Sequence, residues 1–128
     1  MDTIADMMNS LKNAAALNKP SVLVPYSKLK HEIAKVLEKE GYLKRATQLG
    51  KKNKKYLECF LAFNDNKAKL TGVHRVSKPS RRVYTGAQKI ASVKSGRGLA
   101  IISTPKGLLV DKEARAAKVG GEVLVQVW

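Results

Sequence analysis

The chain has 128 residues, 44% of them hydrophobic, and carries 25 Lys or Arg against 10 Asp or Glu, for a formal net charge of +15. That length supports one ordinary domain or two small ones sharing an interface, and the charge exceeds what solubility needs, so a polyanionic partner is expected, nucleic acid first. A single cysteine, Cys59, excludes an internal disulfide framework and any multi-cysteine zinc site.

No apolar run reaches the length of a membrane span, and the N-terminus lacks a basic-then-apolar signal pattern. A soluble, intracellular protein without a cofactor is expected. The charge is also uneven. No Asp or Glu occurs between Asp65 and Asp111, while ten Lys or Arg fall from Lys67 to Lys106, which implies a one-sided positive face.

In chain order, Asp2 or Thr3 can cap a first helix in which Ile4, Met7 or Met8, Leu11 and Ala14 or Ala15 recur at helical spacing. Asn18-Lys19-Pro20 ends it, and Ser21–Val24 reads as a short strand stopped by Pro25. Ser27 caps a second helix with Leu29, Ile33 and Val36 or Leu37 facing inward and Gly41 as its stop. Lys28 and Lys30 stand in its first turn, against the helix dipole. They are either plain surface lysines or phosphate ligands. Residues 42–48 predict a strand, 50–55 a solvated basic turn, and 56–63 a second strand of a hairpin with Leu57, Cys59, Leu61 and Phe63 on one face. Cys59 reads as a small core residue.

Asn64-Asp65-Asn66 turns the chain into a strand over 70–76, with Gly72 interrupting its regularity. The basic loop Ser77-Lys78-Pro79-Ser80-Arg81-Arg82 then leads into Val83-Tyr84, the strongest local nucleic-acid signal on the chain. Arginine and lysine supply ionic phosphate contacts, serine adds neutral ones, and tyrosine offers a ring to stack on a base or ribose. The alternative for Tyr84 is a core aromatic with its hydroxyl at the surface. A short strand is predicted over 90–93. A buried strand follows over 99–102, running into the turn Ser103-Thr104-Pro105-Lys106-Gly107. Pro105 biases Thr104 away from the helical region and Gly107 tolerates positive φ, so Ser103, Thr104 and Lys106 are presented at a strand end, suited to sugar and phosphate oxygens. Asp111 can cap a short helix over 112–118, which Val119-Gly120-Gly121 terminates. Glu122 opens a final strand, where Trp128 reads as a packing residue.

Neither His31 nor His74 has a neighbouring base, nucleophile or ligand cluster, and the acidic residues form no paired-carboxylate motif, so an enzyme is not expected. A general architectural nucleic-acid binder is the alternative that charge alone allows.

Taken together, Asp2-Thr3-Ile4-Ala5-Asp6-Met7, Val24-Pro25-Tyr26-Ser27-Lys28-Leu29-Lys30, Arg75-Val76-Ser77-Lys78-Pro79, Arg81-Arg82-Val83-Tyr84, Ser103-Thr104-Pro105-Lys106-Gly107 and Gly120-Gly121-Glu122 resemble, in order and spacing, the bacterial and organellar family of small-subunit ribosomal protein number eight. The resemblance implies an α+β protein of two small α/β domains, an N-terminal α-β-α-β-β unit over residues 1–64 and a C-terminal, mostly β unit with one short helix over 65–128. It further implies primary binding to the central domain of small-subunit ribosomal RNA, assembly of the platform, and small-subunit proteins numbers five and twelve as neighbours. It also implies repression of its own messenger through a site that mimics the ribosomal one. Tyr84, Ser103, Thr104 and Gly107 fall on the positions that recognise RNA directly. Ser77, Lys78, Arg81, Arg82, Lys106, Lys28 and Lys30 complete the expected contact set. Two departures from the family stand out: Pro105 where members often have Ser, and Ser80 where they often have Gly. Pro105 lacks a hydroxyl and an amide hydrogen, and Ser80 raises the question of whether its loop needs positive φ. A cytoplasmic ribosome is expected over an organellar one, from the missing transit peptide.

Overall fold

The apolar stripe read in the first segment forms α1, Thr3–Ala16, with Ile4, Met7, Met8, Leu11, Ala14 and Ala15 all buried. The computed structural model describes residues 2–128, apart from the side chain of Ser95. Two compact units divide it, Thr3–Thr71 and Gly72–Trp128, the second including Asp2.

The first unit continues through β1 (Ser21–Pro25), α2 (Lys28–Lys39), β2 (Leu43–Lys51) and β3 (Lys54–Leu61), then a small hairpin of β4 (Phe63–Asn64) and β5 (Lys67–Ala68). The expected α-β-α-β-β order is present. Ser27 caps α2 as expected, its hydroxyl accepting from the Lys30 amide at 3.1 Å. Gly41, at φ +89°, closes the helix by donating to the Glu38 carbonyl. β1, β3 and β2 form an antiparallel sheet in that order. Its inner face carries Leu57, Cys59 and Leu61, all at most 2% exposed. Burial first, and then the Glu58 charge, push the Cys59 thiol up to about 11, as befits a core residue.

Four expectations for this unit need correction. Leu29 is 38% exposed, and Ala34 fills the inward position with Ile33 and Leu37. Phe63 leaves the β3 alternation because the strand ends at Leu61, so its ring is 37% exposed. The basic turn over 50–55 shrinks to Lys52 and Asn53, since Lys51 pairs with Lys54 and Gly50 with Lys55. Lys30 is buried at 5% exposure, so it is not a surface lysine of the kind expected. It lies one turn before Ile33 and Ala34 on the buried side of α2.

The second unit contains β6 (Val73–Arg75), β7 (Tyr84–Thr85), a 3₁₀ turn at Lys94–Gly96, β8 (Leu99–Thr104), β9 (Gly107–Val110), α3 (Asp111–Ala117) and β10 (Gly121–Val127). Its antiparallel sheet runs β6-β10-β8-β9, with β7 also on β10. β8 is buried on both faces, as its unbroken apolar run requires. Ala100 and Ile102 pack with Val93 and Ala114, and Ile90, Leu109, Val119, Val123 and Trp128 close the cluster.

The strand expected over 70–76 is shorter, Val73–Arg75, and Gly72 just before it sits where a Cβ would lie 2.2 Å from the Trp128 indole. Gly72 and Trp128 instead exchange two backbone hydrogen bonds, and Trp128 packs against the core while Lys94 Nζ lies 4.6 Å from its ring centroid. No strand forms over 90–93. There the Ile90 carbonyl accepts from Arg115 instead of from a ladder. Asp111 is not the cap of α3 but its first residue, 4% exposed, with one carboxylate oxygen accepting from the Ala100 amide and the other from Arg115. Val110 holds the cap position, its amide donating to Glu113.

Candidate nucleic-acid interface

β10 organises the site because other segments pair along both of its edges. On one edge, β6 pairs with Val125–Val127, the Val76 and Ser77 amides donate to Leu124 and Val123, and the Val123 amide donates to Val83. β7 then takes up the same edge, pairing with Gly121 and Glu122. β6 and β7 are thus two pieces of one strand edge, and residues 78–82 are an excursion from it. Lys78 and Arg81 close that excursion with reciprocal backbone bonds of 2.9 and 3.0 Å around Pro79-Ser80. Ser80 is not among the described residues at positive φ, so the turn does not need the glycine common at that position.

On the opposite edge, β8 pairs Ser103 with Glu122, and β9 pairs Leu108 with Ser103. Tyr84, Glu122 and Ser103 are therefore one cross-strand row. Directly opposed residues point to the same face, which puts the Tyr84 and Ser103 backbones roughly 10 Å apart, two strand spacings. Two glycines permit this closeness. A Cβ on Gly120 would meet the Thr85 carbonyl oxygen at 2.2 Å, and one on Gly121 the Ser103 carbonyl oxygen at 2.0 Å.

Tyr84 is 69% exposed, the most exposed large hydrophobic side chain among the described residues of the unit, and this rules out its alternative reading as a core aromatic. The turn after β8 forms as expected, with Gly107 at φ +102°. Its threonine is not free, however. Thr104 Oγ1 donates to the Gly107 carbonyl at 2.8 Å and accepts from the Lys106 amide at 3.1 Å, so it can offer a ligand only a remaining lone pair. Ser103 is half-buried, and no neighbour among the described residues engages its hydroxyl. Lys78, Arg81 and Lys106 are exposed cations around this row.

Of the expected contact residues Ser77 turns inward, and Arg82, exposed itself, is tied back to the same acid. Ser77 is fully buried: its hydroxyl donates to Glu122 Oε2 and accepts from the Val83 amide at 3.2 Å. Arg82 reaches the same Glu122 oxygen at 3.1 Å. Burial opposes the charge on Glu122, but hydrogen bonds from Ser77 and Arg82, with the charges of Arg82 and Arg75, hold its carboxyl below the ordinary glutamate value. Its contribution to stability is accordingly full above the unfolded value and lost as pH falls through the lower folded one. Lys28 is exposed on the first unit. Sequence reasoning missed Gly120, Gly121 and Glu122 as site residues. The available signal was a glycine doublet and a lone acid at the head of an otherwise apolar strand.

The fold is α+β, and this face presents one exposed tyrosine, one hydroxyl without a partner among the described residues and a basic loop at a sheet end, a set of groups chemically suited to a nucleic acid. Among the described residues no three His, Cys, Asp or Glu side chains cluster to hold a metal, and no helix is long and apolar enough to cross a membrane. The family model described as ribosomal protein S8 matches residues 2–128. Small ribosomal subunit protein uS8 of Persephonella marina is 48% identical over 134 residues, covering 99% of this chain and 98% of that one. Its counterpart in Dictyoglomus thermophilum is 44% identical over 127 residues, covering 99% and 97%, and that of Geobacter metallireducens 45% identical over 128 residues, covering 99% and 97%. The chain belongs to the ribosomal protein S8 family, whose members are structural constituents of the small ribosomal subunit and not enzymes.

Proposed function

We propose that this chain is a primary binder of small-subunit ribosomal RNA, recognising its central domain and helping to assemble the platform. The row Tyr84–Glu122–Ser103 carries this reading, because it sets an exposed ring and a free hydroxyl on one face beside Lys78, Arg81 and Lys106. An A-form minor groove is wide, shallow and lined with 2′-hydroxyls. Ser103 donates to or accepts from such a hydroxyl, Tyr84 stacks on an unpaired base or ribose, and the cations meet the flanking phosphates. Small-subunit proteins five and twelve are the proposed neighbours, and a messenger that mimics the ribosomal site is a proposed second ligand on the same face. The place of action is the ribosome.

Binding to a central-domain RNA transcript and to duplex DNA of matched length, each across a salt series, tests the reading. With about six phosphate contacts the log–log salt slope is roughly −4 to −5. RNA binding is expected to survive salt that abolishes DNA binding. Equal, steeply salt-sensitive binding to both would leave only a general architectural binder.

Thr104→Ala is expected to weaken RNA binding by about 1–2 kcal/mol, the scale of hydrogen bonds lost. Because its hydroxyl ties Lys106 to Gly107, the loss arises from a loosened turn as well as from a missing acceptor. Lys52→Ala, at the tip of the β2–β3 hairpin, should change affinity little. Filter binding of the two variants side by side checks this division, and equal losses would overturn it.

A further inference from the structure

An acid in the middle of a basic face calls for a reason. Glu122 is the central member of the Tyr84–Glu122–Ser103 row, where its charge repels phosphate. Simple electrostatics says that removing it should strengthen every nucleic-acid complex. The geometry says otherwise. One oxygen, Oε2, takes the hydroxyl hydrogen of the fully buried Ser77 and the guanidinium of Arg82, joining the first residue of the basic segment to its last. The same serine hydroxyl accepts from the Val83 amide, directly before Tyr84. Arg75, 9% exposed at its side chain, adds charge from behind, its own guanidinium held by Asp2 and the Leu124 carbonyl. Among the described residues no other charged group acts on this carboxylate.

We propose, building on the RNA-binding reading, that Glu122 is a positioning residue for recognition: its carboxylate clamps Ser77 and Arg82 so that Lys78, Arg81 and Tyr84 are held in the geometry that RNA meets. The clamp divides the cations of the loop into two jobs. Arg82 serves the carboxylate and neutralises it, while Lys78 and Arg81, whose backbones close the excursion, are left for phosphate. Affinity for the correct RNA is thus obtained by keeping a negative charge in place. Without it the loop keeps its positive charge but loses its shape, and only sequence-independent binding gains.

The test is Glu122→Gln in the full chain, titrated against the central-domain RNA transcript and against duplex DNA. Glutamine has nearly the same size and can still bond to Ser77, but it carries no charge for Arg82. The expected result is about a tenfold weaker RNA complex, the scale of one charge-assisted hydrogen bond, with DNA binding unchanged or tighter. Arg82→Gln should also lower RNA affinity while leaving the salt slope unchanged. Arg81→Gln should flatten that slope by about 0.7–0.9, one phosphate contact. If Glu122→Gln unfolds, the Arg82→Gln and Arg81→Gln comparison decides alone. Tighter binding of Glu122→Gln to both RNA and DNA, or equal slope changes from the two arginine variants, would overturn the clamp. A wild-type chain that does not prefer RNA to DNA would instead overturn the RNA-binding reading beneath it.

Discussion

Gly121→Ala is expected to cost about 3 kcal/mol of stability and to lower RNA affinity by roughly tenfold or more. The added Cβ would stand 2.0 Å from the Ser103 carbonyl oxygen and 2.9 Å from its carbonyl carbon. Both are backbone atoms, so no side chain can rotate out of the way, and β10 must move away from β8. That movement separates the Tyr84–Glu122–Ser103 row at its centre. Gly107→Ala is the matched control. Among the described residues nothing lies within 4 Å of its would-be Cβ, so its cost in stability is only the strain of φ +102° in an alanine, about 1 kcal/mol. Urea unfolding midpoints and filter binding of both variants check the contrast. Equal stability losses would mean that close approach at β10 is not what the glycine provides.

Tyr84→Ala should separate function from stability. The side chain is 69% exposed, so its removal should shift folding stability by no more than about 0.5 kcal/mol. Loss of a stacking ring should weaken RNA binding by about 1–3 kcal/mol. Tyr84→Phe keeps the ring and should retain most of the affinity. Thermal melts beside RNA titrations measure both quantities. A melting temperature that falls together with affinity would show that the ring supports the sheet rather than the ligand.

Residues whose roles follow from local patterns were legible in the chain itself. The stripe Ile4, Met7, Leu11 and Ala14 made α1, Ser27 capped α2, and the β-branched run Ile101-Ile102 made a strand buried on both faces. The turn at Pro105 and Lys106, with Gly107 at positive φ, was equally local, since proline and glycine restrict or widen the backbone at their own positions. Where a short apolar stretch has no partner, the pattern misleads. The segment over 90–93 looks like a strand, yet no ladder reaches it, and Phe63 continues an alternation that β3 abandons at Leu61.

Charge was legible as an amount and not as an arrangement. Ser77, Lys78, Arg81 and Arg82 read alike as contact residues. Only the fold shows that Ser77 lies inside and Arg82 is held, because the acid that holds them stands 40 residues or more further along the chain. Lys30 likewise looks like any lysine in the first turn of a helix until α2 turns it inward.

The sequence by itself determined the helices, the hairpins, the two-part α+β order and a strong excess of positive charge, since these follow from spacing, turn residues and composition acting over a few positions. The tertiary structure decided that Tyr84, Glu122 and Ser103 form one row. That row exists because β10 accepts β7 on one edge and β8 on the other, and because two glycines without side chains let the three backbones approach. Pairing between strands distant in sequence depends on what every other segment leaves available, so no local pattern encodes it.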